Sequence, residues 1–359
     1  MSNDYLGIAD HPAILRTQAD TLVNHGNGLV MSGVFLNTEA PHRKLEQELA
    51  SHLRAQSTII CQSGWCANVG LIQTIADDTV PVYIDIQAHM SLWEGIRSAG
   101  ARARPFRHND PDHLQHLIRR HGSGVIVVDS VYSTDGSVCP LREIVAIGTA
   151  NRCLLVVDES HSLGTHGPRG AGLSVELGLA DRIHFRTASL AKAFAARAGL
   201  ITCSEPFAEY FRYTALPAIF SSSLLPHEVA GLRAALIAIR KEEWRRRKLH
   251  RNAARLRAGL LELGYNVSAS QSQILALEAG PEQRTFVLRE ALETRDVFGS
   301  VFCAPATPGN RSLIRFSVNA LLDDEDLDHV LDVCADIRKT VDLAAWPSTR
   351  RLQRRLEAA

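Results

Sequence analysis

Four apolar runs in this chain each deliver chemically capable side chains at or just beyond their ends. VPVYIDIQ leads to His89, VIVVD to Ser130 and Ser133, LLVVD to Asp158 and His161, and IHFRTAS to Ser189 and Lys192. An amine, a carboxylate, two imidazoles and several hydroxyls are the parts of acid–base and covalent amine chemistry. A lysine of this kind must lose its proton near neutral pH, although its free pKa is about 10.4, so it needs a desolvated or cation-neighboured pocket. Lys192 follows the small-residue turn Ser189-Leu190-Ala191, which is compatible with that demand.

The elements that position these groups follow from the pattern. Continuous Val/Ile/Leu runs separated by helical stretches read as buried strands of a parallel sheet. In such sheets ligands sit outside the carboxyl ends of the strands, so the run-end residues should converge on one crevice. That set suits a pyridoxal phosphate site. Asp158 ends a run too apolar for a carboxylate without a positive partner, and a protonated pyridine nitrogen is such a partner.

Each residue also has a plainer reading. Lys192 alone reads as an exposed helical lysine, Asp158 as a capping residue or magnesium ligand, and His89 as a structural histidine rather than an imidazole stacked on a ring. His161 is placed to reach a phenolic oxygen, but Asp-x-x-His is a weak signal. Ser133 offers a hydroxyl on the same edge, or forms a turn before Asp135-Gly136. Gln62-Ser63-Gly64-Trp65 looks like a glycine-containing turn opening a helix, which presents N–H groups to an anion, although Ser63 is equally a plain helix cap. Ser189 and the triplet Ser221-Ser222-Ser223 add hydroxyls. Arg315 lies on an expected strand, where it holds either a substrate carboxylate or an interdomain ion pair.

With 39 basic and 39 acidic residues in 359, the chain carries no electrostatic footprint for nucleic acid or an anionic membrane. No apolar run approaches the roughly 20 residues that cross a bilayer, and the start lacks the apolar core of a secretory signal. The seven cysteines form no CxxC pair, so buried thiols of a cytoplasmic protein are expected, with no metal site. The length exceeds a single core. The pattern predicts an irregular arm over 1–40, a large doubly wound α/β domain over 41–235, and a linker helix with a small α+β domain over 236–345. A basic tail, either a final helix or a disordered end, occupies 346–359. One long helical pattern, bent or straight, runs over 228–263, with the basic stretch Lys241 and Arg245 to Lys248 as its solvated face.

Taken in order, Asn3-Asp4-Tyr5-Leu6-Gly7, Ser63-Gly64, Asp158-x-x-His161, Ser189-x-x-Lys192, Ser221-Ser222-Ser223 and Arg315 resemble the α-oxoamine synthases. These are fold-type I pyridoxal phosphate enzymes, aspartate-aminotransferase-like in architecture, which condense an amino acid with an acyl-CoA. The strings Ser63–Asn68, Ala88–Gly95, Asp158–Pro168 and Thr187–Lys192 are similar to a narrower group, the quorum-sensing autoinducer synthases that make aminoketone or α-hydroxyketone signal precursors.

The resemblance implies that Lys192 is the Schiff-base lysine, Asp158 pairs with the pyridine nitrogen, and His89 stacks on the ring. It implies that His161 and Ser133 bond the ring's oxygen edge. Ser63, Gly64, Trp65 and Ser189 would bind phosphate, joined by Ser222 from the other subunit of a homodimer. Arg315 would hold the amino donor's carboxylate. The implied substrates are a medium-chain acyl-CoA of the decanoyl class and 2-aminobutyrate or S-adenosylmethionine. The alternatives are a housekeeping relative using alanine or glycine, of the 8-amino-7-oxononanoate synthase or glycine C-acetyltransferase type, and a non-catalytic partner subunit, against which Lys192 argues.

Several positions depart from the family pattern. Serine replaces the frequent threonine at 189 and 222, Ala193-Phe194-Ala195 replaces glycines after the lysine, and Met31–Leu36 replaces a glycine-rich stretch. Family chains also carry a few dozen residues before the Asn-Asp-Tyr-Leu-Gly segment, so the expectation is that either this arm is absent or the start is truncated.

Overall fold

A computed structural model describes residues 2–28 and 30–357, with side chains to residue 352. The last two residues of the expected basic tail lie outside the described residues. The chain divides into two compact units. One comprises Gly7–Val131 and Cys139–Glu243, the other Met1–Leu6, Tyr132–Val138 and Trp244–Ala359.

The larger unit is built on seven strands: β1 (Ser57–Cys61), β2 (Pro81–Asp85), β3 (Arg102–Phe106), β4 (Val125–Asp129), β5 (Leu154–Asp158), β6 (Phe185–Ser189) and β7 (Gly199–Cys203). Their order is β1-β7-β6-β5-β4-β2-β3. β7 runs antiparallel to both neighbours, and every other pairing is parallel. The Val/Ile runs fold this way because β-branched side chains pack well on a pleated surface covered on both faces. All five residues of β4 are buried, and Val82, Ile84, Val127 and Val156 join one apolar cluster. Sheet register then does the positioning. Asp129 on β4 lies opposite Asp158 on β5, and Asp158 opposite Thr187 on β6, so these strand ends are level.

The smaller unit carries a three-stranded antiparallel sheet in the order β8-β10-β9, with β8 at Ile274–Gly280, β9 at Ser300–Phe302 and β10 at Ser312–Ser317. Helices Glu282–Glu293 and Asp324–Ile337 accompany it. The segment 132–138 belongs here because its carbonyls are already spent on this unit. Gln271 N donates to Gly136 O at 3.0 Å, Ser272 Oγ to the same oxygen at 2.9 Å, and Ser270 Oγ to Asp135 O at 2.6 Å.

Three local expectations change. The segment read as irregular contains a helix, Pro12–His25, started by Pro12 and capped by His11. Only Ile14 of that helix is buried, so no apolar stripe announced it. The long helical pattern is two helices, Pro226–Lys241 and Glu243–Glu262, parted at Glu242, whose φ −98° and ψ 61° leave the helical region. Its basic run is not one solvated face. Arg246 is buried on the same stripe as Leu249 and Ala253, because spacings of three and seven return to one side of a helix. At the C-terminus Pro347–Glu357 is helical. Trp346 before it is buried and donates from its indole to Val341 O at 2.9 Å.

Gly136 combines a left-handed φ of +73° with a near approach to Ile274 O, which an added Cβ would meet at 2.1 Å. Gly136→Ala is therefore expected to destabilise the protein by about 3 kcal/mol, read as a lower urea midpoint. A midpoint equal to the wild type would refute this account of the 132–138 segment.

Candidate active site

Ser63 is extended (φ −162°, ψ 164°) and caps the helix Gly64–Ile75, its Oγ accepting from Cys66 N at 3.1 Å. Other N–H groups of the first turn have no intrahelical acceptor and point out of the helix start. That start abuts the end of β6. A Cβ on Gly64 would lie 2.6 Å from Ser189 Cβ and 2.8 Å from its Cα, so glycine is needed for the approach. Ser189 N donates to Ser160 Oγ at 2.7 Å, and Ser189 Oγ accepts from Ala191 N at 3.3 Å. Backbone N–H groups at a helix start, flanked by serine hydroxyls, form a cradle with the chemistry of a phosphate site.

Asp158, at the end of β5, is buried. Its Oδ2 accepts from Asn68 Nδ2 at 2.7 Å and its Oδ1 from Ser160 N at 2.8 Å. Both donors are neutral, so the carboxylate's charge is not matched by either, and a buried carboxylate of this kind calls for a cation. His89 caps the helix Met90–Ser98, its Nδ1 lying 2.8 Å from Ser91 Oγ and 3.3 Å from Ser91 N. Burial pulls its pKa below the ordinary histidine value. Asp158 opposes that shift and Lys192 reinforces it, which places both charges in the field at the imidazole. Trp65, half-exposed, sets its ring edge against His89, the centroids 6.4 Å apart and the planes at 81°.

Lys192 lies in the turn between β6 and β7 and is partly buried. Ala195 in that turn donates its N–H to Lys192 O at 2.9 Å and holds a left-handed φ of +49°. This is a conformation glycine adopts freely and alanine pays for. His161 is buried in the turn after β5. Ser222 is exposed. Its backbone forms a bridge with Ser32 and accepts a bond from the Gln62 side chain, beside the cradle. Ser130 is buried and turns its hydroxyl to Asp158 O (3.0 Å) and Ser162 Oγ (2.8 Å), so it braces the strand ends.

In the smaller unit, Ser133 and Arg315 come together. Arg315, on β10, is buried and donates from Nη1 to Ser133 O at 2.8 Å and from Nη2 to Asn3 Oδ1 at 3.0 Å. Its guanidinium carbon lies 4.7 Å from the Phe302 ring centroid. Burial lowers its pKa and Tyr5 opposes the shift. These partners are neutral, unlike the ion pair of the plainer reading, and Nε has no partner.

Sequence reasoning overlooked Asn68, Ser91 and Asp129. The available signal for Asn68 was a single amide inside the apolar helical run GWCANVGLI. Asp129 ends β4, is buried, and accepts from His89 N at 3.3 Å. Burial, joined by the charge of Asp158, raises its pKa well above the carboxylate range. Among the described residues no cluster of three or more His, Cys, Asp or Glu side chains suits a metal. No described helix is long and apolar enough to cross a membrane.

The fold is that of the fold-type I pyridoxal phosphate enzymes, and the buried strand-end carboxylate, the capped helix start and the partly buried lysine have chemistry that suits such a cofactor. The family model for aminotransferase class I and II matches residues 2–333. The CAI-1 autoinducer synthase of Vibrio campbellii is 49% identical over 335 residues, covering 93% of this chain and 85% of its own length. The serine palmitoyltransferase of Caulobacter vibrioides is 31% identical, covering 94% and 84%. The high-resolution structure of SPT with its PLP internal aldimine superposes with a TM-score of 0.90 at 27% identity, covering 95% of this chain and 87% of that one. The chain belongs to the aminotransferase class I and II family and, within it, to the α-oxoamine synthases, PLP-dependent acyltransferases whose cofactor is pyridoxal 5'-phosphate.

The Gly64 contact supplies a direct test of the cradle. Gly64→Ala should push the helix start away from Ser189 and weaken pyridoxal phosphate binding at least about tenfold, measured by absorbance titration. Unchanged affinity would remove the cradle from the phosphate role.

Proposed function

We propose that this enzyme joins a medium-chain acyl-CoA, of the decanoyl class, to 2-aminobutyrate or S-adenosylmethionine and so makes an aminoketone precursor of a quorum-sensing autoinducer. The observation that carries this reading is the 49% identity to the CAI-1 autoinducer synthase across 93% of the chain, against 31% for the serine palmitoyltransferase. The conversion forms a bond between the donor's α-carbon and the acyl carbonyl carbon and releases CoA. Carbon dioxide also leaves when the donor is an α-amino acid.

When bound, pyridoxal phosphate supplies the electron sink that stabilises negative charge at the donor's α-carbon. The chain's own groups do the rest. Lys192 Nζ, once neutral, takes the α-proton. Asp158 would hold a proton on the ring nitrogen, and the imidazole of His89 would cover the ring face. His161 and Ser133 would hydrogen-bond the ring's oxygen edge, and Arg315 would take the donor's carboxylate in its planar fork. The Ser63–Trp65 turn and Ser189 would anchor the phosphate.

The same reading makes the protein a cytoplasmic homodimer, with Ser222 of the partner subunit completing the cradle. Residues 31–32 and 222–223 lie side by side through the Ser223 N to Met31 O bond (2.7 Å) and the Ser32–Ser222 bridge. Val30, Phe35, Leu216 and Phe220 on these two segments are exposed, an apolar surface suited to a second copy.

Product mass after mixing the loaded enzyme with decanoyl-CoA and each of aminobutyrate, S-adenosylmethionine, alanine and glycine tests the substrate assignment. An aminoketone from either of the first two is expected, and product chiefly from alanine or glycine would move the enzyme to the housekeeping branch. Lys192→Ala should lower turnover by at least about a thousandfold, and CoA release at the wild-type rate would sink its role as base. Arg315→Gln should raise the KM for the amino donor about tenfold to a hundredfold while leaving the KM for acyl-CoA in place. Equal effects on both would count against the carboxylate contact.

A further inference from the structure

Asn68 is a buried polar residue with no task in the proposed reaction. It is 2% exposed on the helix Gly64–Ile75, and its amide oxygen has no partner. An unsatisfied buried acceptor is costly, so the orientation that creates it must be imposed by something else. Asn68 Nδ2 donates both to Asp158 Oδ2 (2.7 Å) and to Ser91 Oγ (2.8 Å). An ionised carboxylate only accepts, so the amide group facing Asp158 has to be the NH2, and the same NH2 serves Ser91.

The direction propagates. With Ser91 Oγ accepting from Asn68, its own hydrogen is available for His89 Nδ1, 2.8 Å away, while the Ser91 backbone N–H faces the same nitrogen at 3.3 Å. Two donors aimed at Nδ1 leave no room for a proton there, so the ring's proton belongs on Nε2.

We propose that Asn68 is a positioning residue that, acting through Ser91, ties the orientation of His89 to the charge on Asp158 and locks the imidazole as its neutral Nε2–H tautomer. This deepens, and rests on, the reading of Asp158 and His89 as partners of the cofactor ring. Its chemical sense is charge economy. Asp158 keeps a cationic ring nitrogen, and an imidazolium stacked on that ring would set two cations face to face. A neutral imidazole avoids the repulsion, and one amide secures both conditions. The charged and titratable groups facing His89 are Asp158, Lys192 and Asp129, which accepts its backbone N–H. Burial works in the same direction as the geometry by lowering the imidazole's pKa.

The test is 15N NMR of histidine-labelled enzyme, cofactor-loaded and cofactor-free, with His89→Gln assigning the resonance. The wild type should show one Nε2–H tautomer and a titration midpoint below about 6.5. Ser91→Ala, which keeps Asn68 on Asp158, should give mixed tautomers and a higher midpoint with cofactor affinity retained. Asn68→Leu should give the same mixture and loosen the cofactor about tenfold to a hundredfold. An Nδ1–H or imidazolium signal in the neutral-pH wild type overturns the proposal, as does a Ser91→Ala spectrum identical to wild type. Should Asn68→Leu fail to fold, Ser91→Ala alone still decides. A wild-type protein that binds no pyridoxal phosphate would overturn the cofactor reading, while the cofactor-free spectra would still decide the tautomer.

Discussion

The carboxylate at the end of β5 sets terms that much of the larger unit meets. Parallel register puts Asp129 directly opposite Asp158, and Asp85 ends the next strand over, so three carboxyl groups crowd neighbouring strand ends. Like charges in a dry place cannot all ionise. Asp85 is provided with donors, from Gln87 N at 2.8 Å, Asn109 N at 2.9 Å and His108 Nδ1 at 3.0 Å. Asp129 is pushed toward its neutral form by burial and by Asp158. The adjacent Glu159 faces Arg186 at 3.9 Å, two buried charges that answer each other within the chain. Asp158 accepts from the Asn68 amide and the Ser160 backbone N–H, both neutral donors.

The approach of the helix start at Gly64 to the end of β6 rests on a steric constraint. Ser63 belongs to the segment after β1 and Ser189 to the end of β6, and β7 intervenes between those strands in the sheet. The helix start closes that separation because Gly64 has no Cβ to collide with Ser189. The result is a set of neutral donors, N–H and O–H, in which an anion replaces the water it gives up with preoriented dipoles. Lys192 follows Ser189 in the turn between β6 and β7 and is partly buried.

What could be read from the sequence divides along physical lines. The sheet was legible because strands buried on both faces are written as unbroken Val/Ile runs, and the order of run-end residues gave Asp158, His89 and Lys192 a common edge through the parallel-sheet rule. Asn68 was not legible, because a buried amide in a helix leaves no periodic trace and acquires meaning only when Asp158 and Ser91 are seen at hydrogen-bond distance. The helix Pro12–His25 escaped for the opposite reason, burying a single residue and so carrying no stripe. Arg246 was misread because charge type was weighed above helical phase. The chain's assignment of 132–138 to the smaller unit depends on carbonyl bonds to Ser270, Gln271 and Ser272, which no local pattern encodes.

Arg315 obeys in its own unit the rule that Asp158 obeys in the other. A buried guanidinium is always a cation, and the cheapest answer to it is a carboxylate. Here the guanidinium donates to the Ser133 carbonyl and the Asn3 amide oxygen, with the Phe302 ring face beside it. Each orients the fork without cancelling its charge. The N-terminal segment is fixed to serve that end, since Ala320 N donates to Tyr5 O at 2.9 Å and Asn319 bonds the Asp4 carbonyl, which together hold Asn3 in reach. A cation kept buried and aligned among neutral partners leaves its desolvation cost uncompensated by an opposite charge. Asp158 and Arg315 are thus opposite charges, each kept buried among neutral partners in its own unit.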